Sequence, residues 1–203
     1  MEMNEKDVSR ITDSIIFELL KKYDSSYTKA VLANLRKSMG RELGTSIEIW
    51  PLILEHVPDE YIEENPRLTA GERVIINTMQ LFALYSQGVE LENAYHKKRN
   101  RWENIGTSFS SLRNTSDCKE ALDRRFNVMI TSTTYDELLY HLRQMINLLK
   151  AKGKGQINID FSRLSEDLSK FLIGNENEVR ISWAREYYRN KKSKDEKGNG
   201  KDE

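Results

Sequence analysis

Apolar residues recur along this chain at spacings of three and four, and no stretch alternates convincingly with period two, so the pattern predicts helix throughout. A first helix is predicted over about residues 7–22, with Val8, Ile11, Ile15 and Leu19 on one face. A serine pair at Ser25 and Ser26 breaks it from a second helix over about 27–39, which ends near Gly40. A short third helix carries Pro51 in its first turn, where a missing N–H costs nothing. Residues 58–66 read as an acidic loop. Thr69 and Glu72 then have the spacing of a capping box, opening a helix that turns Val74, Ile75, Thr78, Leu81, Phe82 and Tyr85 inward.

Residues 88–100 read as a connection ending in Lys97, Lys98 and Arg99, and a boundary between two helical lobes, 1–96 and 97–190, is placed there. Helices are predicted over about 101–113 and 116–130, the second capped by Ser116. Thr134 and Glu137 form a second capping-box pattern, opening the clearest amphipathic helix of the chain. Its stripe is Leu138, Leu139, Leu142, Met145, Ile146 and Leu149. A basic, glycine-containing loop over 150–155 follows, and then two more helices over about 160–173 and 176–189. Residues 191–203 contain no apolar side chain and are predicted to be disordered. The expectation is an all-α, two-lobed bundle of about eight to nine helices.

Composition narrows the class. Charged residues make up 32% of the 203 positions and apolar ones 38%, a balance suited to a soluble protein with a core. No apolar run reaches the roughly 20 residues that span a bilayer. The first ten residues lack the basic-then-apolar order of a signal peptide, and the single cysteine, Cys118, forms no internal disulfide framework, so a cytoplasmic protein is expected. The formal net charge of zero hides an uneven layout. Residues 1–96 carry 10 Lys/Arg against 16 Asp/Glu, a net of −6, whereas 97–154 carry 12 against 6, a net of +6. A middle segment this basic is either the footprint of a polyanion or a counterweight to the acidic part, and charge alone favours neither.

No motif calls for an enzyme, a metal or a cofactor. His56, His96 and His141 are far apart and outside any metal-ligand spacing. Cys118 falls four residues before Leu122, which predicts a core thiol rather than a nucleophile. Gly153 and Gly155 lack the preceding strand of a phosphate-binding loop. Trp183, with Val179 and Tyr187, keeps helical spacing, so core packing is favoured over stacking on bases.

The basic residues are the remaining chemistry. On the second helix Lys29 and Arg36 lie on one side, and Lys37 and Arg41 occupy an adjacent stripe. On the 134–150 helix, Asp136, Tyr140, Arg143, Asn147 and Lys150 line the polar side and lead into Lys152 and Lys154. Arg125 is in register with Cys118, Leu122 and Met129, which predicts partial burial, while Arg124 is expected to be exposed. The candidate nucleic-acid contacts are Arg36, Lys37, Lys98, Arg99, Arg101, Arg113, Arg124, Arg143, Lys150 and Lys152.

The second half of the chain resembles the CasB family, the small subunit of the type I-E CRISPR Cascade complex. The resemblance rests on Arg125-Phe126, then Glu137-Leu-Leu-Tyr-His-Leu-Arg143, then Asp160-Phe161 with Leu164, Asp167-Leu168 and Phe171, and finally Trp183-Ala-Arg-Glu-Tyr-Tyr188. Leu35-Arg36-Lys37 and Phe82-Ala-Leu-Tyr85 extend it thinly into the first half. Phe161 and Phe171 stand where tryptophans are typical, Glu186 where an aspartate is, and Lys37 where an arginine is, the last losing the bidentate fork. What the resemblance implies is a non-catalytic subunit present as a pair of copies, with other Cascade subunits, guide RNA and the target and displaced DNA strands as partners, and no membrane. It would hold the R-loop through phosphates while base pairing reads the sequence. A helical protein–protein adaptor and a dimeric helix-turn-helix regulator remain as alternatives.

Overall fold

A computed structural model describes residues 3–41, 47–61, 67–89, 103–116 and 118–189. Among these residues the chain forms nine α-helices and two short 3₁₀ turns, with no strand. Helix α1 (Glu5–Lys21) opens on Asn4, whose side chain accepts from the Lys6 and Asp7 amides. Helix α2 (Ser26–Ser38) opens on Ser25, and α3 (Trp50–Leu54) has its proline in the first turn. Helix α4 (Ala70–Tyr85) carries the complete Thr69–Glu72 capping box. Helices α5 (Ile105–Thr115), α6 (Lys119–Ile130), α7 (Tyr135–Gly153), α8 (Phe161–Leu172) and α9 (Glu176–Tyr188) follow.

Helix α4 is the axis of the molecule. Val74, Ile75, Ile76, Met79, Phe82, Ala83 and Tyr85 are all fully buried, so the single inward stripe read from its sequence widens to nearly the whole circumference. It is enclosed by α1, α2, α7 and α8. Phe82 meets Phe161 of α8 edge to face at 5.3 Å, and Gln80 donates to Ser38 Oγ of α2 at 2.8 Å. The boundary expected at residue 97 lies outside the described residues. Across it, α1 lies along α8 in the most extensive helix contact of the fold, and one continuous core draws on residues from both sides.

The far end is built by α5, α6 and α9. Gly106 of α5 brings that helix against the Trp183 carbonyl of α9, and Asn104 donates to the carbonyl and hydroxyl of Ser182. Trp183 is buried, as its spacing predicts, and donates to Asp167 of α8 at 2.7 Å. Phe126 of α6 stacks on Tyr187 with ring centroids 3.7 Å apart.

Several local expectations are corrected. The core stripe of α6 is Leu122, Phe126 and Met129, a rotation that leaves Arg125 exposed rather than half-buried. Cys118 is the exposed N-cap position of α6, not a core thiol, and Ser116 ends α5 instead of capping α6. Thr134 caps α7, and the closest partners of the Glu137 carboxylate are the Thr133 amide and hydroxyl, one residue further back than the box predicts. The basic loop begins later than expected, because α7 runs on to Gly153 and turns only at Lys154 and Gly155, both with positive φ. Within the acidic loop a 3₁₀ turn, Asp59–Tyr61, buries Tyr61, whose hydroxyl donates to the buried Asp7 at 2.9 Å. Lys98, Arg99, Arg101, His96 and the 191–203 tail lie outside the described residues.

Candidate nucleic-acid interface

The last carbonyls of a helix have no partner within it, and they carry the negative end of its dipole. Helix α4 has no basic residue in its own last turn to meet them. The cations arrive from neighbouring helices instead. Arg36 of α2 donates through Nη1 to the Ala83 carbonyl at 3.1 Å, and Lys150 of α7 donates through Nζ to the Leu84 carbonyl at 3.0 Å. Two residues 114 positions apart in the chain are thereby set side by side at one helix end.

Burial acts on both. It pushes the Arg36 guanidinium below its usual value, and it lowers Lys150, with the like charge of Arg36 lowering Lys150 further. Arg143, on the polar side of α7, lies two turns before Lys150 and reaches toward the residues that follow α2. One of its terminal nitrogens lies 4.0 Å from where a Cβ would project from Gly40, the left-handed residue that follows α2. Glycine at that point satisfies the positive φ of 76°. Among the described residues no carboxylate pairs with Arg36, Arg143 or Lys150. Lys37 on α2 and Lys152 at the end of α7 are exposed, each on the helix that carries one of these cations.

The other candidates stand elsewhere. Arg113 is bound in a fork to Asp123, through Nε at 2.7 Å and Nη2 at 3.0 Å, and the Tyr187 hydroxyl reaches the same carboxylate at 2.8 Å. Its hydrogen bond is the main reason Asp123 is held below the usual carboxylate range, and the same bond raises Arg113. With Tyr187 and Tyr188 also under its guanidinium, Arg113 brackets α5, α6 and α9 together. Arg124 is exposed and lines a shallow cleft with Asn114, Lys119 and Glu120, apart from the Arg36 group. Lys98, Arg99 and Arg101 belong to the undescribed connection.

What sequence reading missed is the backbone half of the site, the α4 carbonyls and Gly40. A signal existed: a helix with no glycine C-cap and no basic last turn needs donors from outside. Among the described residues no group of three or more His, Cys, Asp or Glu side chains is arranged to hold a metal, and no helix is long and apolar enough to cross a membrane.

Fold and site together define an all-helical bundle with a cationic cluster assembled on the C-terminal end of its central helix. The model of the CRISPR-associated protein Cse2 family matches residues 31–188, and the chain belongs to that family, also called CasB. It is similar to the crystal structure of CasB from Thermobifida fusca, at 24% identity and a TM-score of 0.68, covering 90% of this chain and 98% of that one. A Cse2-family CRISPR-associated protein from Thermus thermophilus is similar at 19% identity and a TM-score of 0.62, covering 87% and 97%. A chain of a CRISPR RNA-guided surveillance complex is similar at 18% identity and a TM-score of 0.63, covering 90% and 94%. At these identities the likeness is one of fold. No curated protein matches the chain by sequence.

Proposed function

We propose that this chain is a non-catalytic small subunit of a type I-E CRISPR Cascade complex, acting in the cytoplasm as a pair of copies. It steadies the R-loop of guide RNA, target strand and displaced strand by contacts to phosphates that are blind to sequence. The observation that carries this reading is Arg36 and Lys150 set side by side at the end of α4, with Arg143 two turns earlier on α7 and no carboxylate among the described residues paired with any of the three. Like charges held together at a partly exposed face create a potential suited to a polyanion. Strand exchange in an R-loop is nearly balanced, so a few such contacts bias it without chemistry. Lys37 and Lys152 extend the face, Arg124 offers a separate contact, and Lys98, Arg99 and Arg101 join on charge alone. Arg113 would have to leave Asp123 to take part.

The test is co-expression with the other Cascade subunits and a guide RNA, followed by affinity for matched target DNA at several salt concentrations. The expected result is co-purification with guide RNA, and a salt slope that becomes shallower when Arg143 is replaced by alanine. Each lost phosphate contact removes about 0.9 from the slope for duplex or about 0.7 for a single strand. Failure to co-purify, or an unchanged slope for all of Arg36, Arg143 and Lys150, overturns the reading. Preference for one duplex sequence by the isolated protein would instead favour a regulator.

A further inference from the structure

Helix α7 carries an aromatic ring on the side turned away from the core. Leu138, Leu142, Met145 and Leu149 are buried, and at about 100° per residue Tyr140 falls on the opposite side. It is 60% exposed, the most exposed aromatic residue among those described. Its hydroxyl makes no hydrogen bond among the described residues, whereas those of Tyr61, Tyr85, Tyr187 and Tyr188 all donate within the fold. The ring meets the His141 ring edge to face, with centroids 5.1 Å apart. Such a contact covers at most one face of the tyrosine, so at least one face is open. The neighbours of Tyr140 on the helix surface are the residues three and four positions away. On the N-terminal side they are acids already committed, Asp136 to Arg73 at 2.6 Å and Glu137 to Thr133. On the C-terminal side they are Arg143 and Gln144, with Asn147 one turn beyond. No carboxylate among the described residues pairs with Arg143, and the exposed amides of Gln144 and Asn147 make no side-chain hydrogen bond there.

We propose that Tyr140 is a stacking platform for one unpaired base of a single-stranded nucleic acid, with Arg143 meeting the phosphate beside that base. The inference rests on the phosphate-binding reading above and deepens it by adding a contact to a base. Residues three apart on a helix have Cβ atoms about 5–6 Å apart, a separation similar to that between a base and its own phosphate, so ring and guanidinium can serve one nucleotide. Every base presents a π-face, and a stack therefore adds affinity without choosing a sequence. Gln144 and Asn147 each carry a donor and an acceptor, which lets them meet any base edge. The ligand is single-stranded because the bases of a duplex are already stacked on their neighbours and offer no free face. Of the strands in an R-loop, the displaced one is left with unpaired bases. A protein partner is disfavoured, because the exposed neighbours Asp136, Gln144 and Asn147 are polar and no apolar surface surrounds the ring as the centre of a protein interface requires.

The experiment measures the affinity of the full-length chain for oligothymidylate and for a duplex of mixed sequence at several salt concentrations. Wild type is compared with Tyr140→Ala, Tyr140→Leu, Tyr140→Phe and Arg143→Ala. Tyr140 is exposed, so its variants are expected to melt like wild type. Tyr140→Leu keeps a bulky side chain of high helix propensity without a π-face, which separates the stack from any effect of truncation. The alanine and leucine variants are expected to lose about fivefold or more in affinity for oligothymidylate, the lower end for a base–aromatic stack, while Tyr140→Phe keeps wild-type affinity. Duplex affinity is expected to stay unchanged in all three. Their salt slope should also match wild type, because a stack releases no counterion, whereas Arg143→Ala makes the slope shallower. Wild-type affinity of the alanine and leucine variants for oligothymidylate overturns the stack, and a shallower slope in Arg143→Ala would then leave the phosphate-binding reading standing. An equal loss on duplex and single strand, or an equal loss in Tyr140→Phe, also overturns it, since neither depends on an open base meeting the ring. A wild-type chain that binds neither probe overturns both the stack and the phosphate-binding reading.

Discussion

Replacing Gly106 by alanine is the sharpest test of how α5 and α9 are packed. In an ordinary helix this change helps, by up to about 1 kcal/mol, because alanine loses less backbone freedom on folding. Here a Cβ on residue 106 would sit 2.2 Å from the Trp183 carbonyl oxygen and 3.0 Å from its carbon. Ordinary contact begins near 3.4 Å, so the first of these is about 1.2 Å too short. The obstacle is backbone, which cannot swing aside as a side chain does. The two helices must part, and the Asn104 bonds to Ser182 and the 2.7 Å bond from Trp183 to Asp167 lie in the strained region. Overpacking of this kind costs about 1–3 kcal/mol and outweighs the propensity gain. At roughly 2–4 °C per kcal/mol for a chain of this size, the melting temperature should drop by several degrees. The assay is thermal unfolding followed by circular dichroism, with Gly71→Ala as the control. The nearest atoms to a Cβ at residue 71 all belong to Met3, Cε at 2.9 Å and Cβ at 3.0 Å, on a residue that precedes α1 and can shift without parting two helices. That variant should stay within about 0.5 kcal/mol of wild type. A Gly106→Ala protein that melts at or above wild type would refute the close approach of α5 to α9.

Other expectations follow from the same contacts. Trp183→Ala should cost on the order of 3–5 kcal/mol in chemical denaturation, since it empties a fully buried site; unchanged stability with lost DNA affinity would make the ring a stacking platform. Asp167 is pushed up to about 6 from an ordinary value of 3.8, chiefly by burial and against the opposing pull of Arg163. The folded state therefore binds this proton more tightly than the unfolded one, and the group's contribution is greatest below about 4 and is lost as pH rises through about 6. Relative to Asp167→Asn, which cannot titrate, wild type should lose up to ~3 kcal/mol between pH 4 and pH 7 in paired denaturation curves; a flat difference would show that Asp167 is not desolvated. Arg143→Ala should leave the melting temperature within about 1 °C and reduce the salt slope of target binding, whereas Arg113→Ala should destabilise the fold by breaking the fork to Asp123.

The helices and their caps were legible from sequence because they are local. Spacings of three and four marked the inward faces of α1, α4 and α7, and Thr69 and Thr134 cap through backbone amides only three residues away. The family was legible for a related reason: Trp183-Ala-Arg-Glu-Tyr-Tyr188 alternates core and surface positions of a single helix, and a short motif carries that information intact.

Rotation about a helix axis was less secure. A stripe read as 118, 122, 125 and 129 and one read as 122, 126 and 129 differ by a fraction of a turn, and only the seating of Phe126 on Tyr187 decided between them. That choice turned Arg125 and Cys118 outward. The assembly of the cation cluster lay further from the sequence. Arg36 and Lys150 are 114 residues apart, and their meeting place is a pair of backbone carbonyls, which leave no trace in the order of side chains. Charge pattern separated an acidic segment from a basic one, but an arginine bound to Asp123 and an arginine with no carboxylate partner look alike in a sequence. Tertiary packing distinguished Arg113 from Arg143, because only folding sets which charges find a carboxylate and which do not.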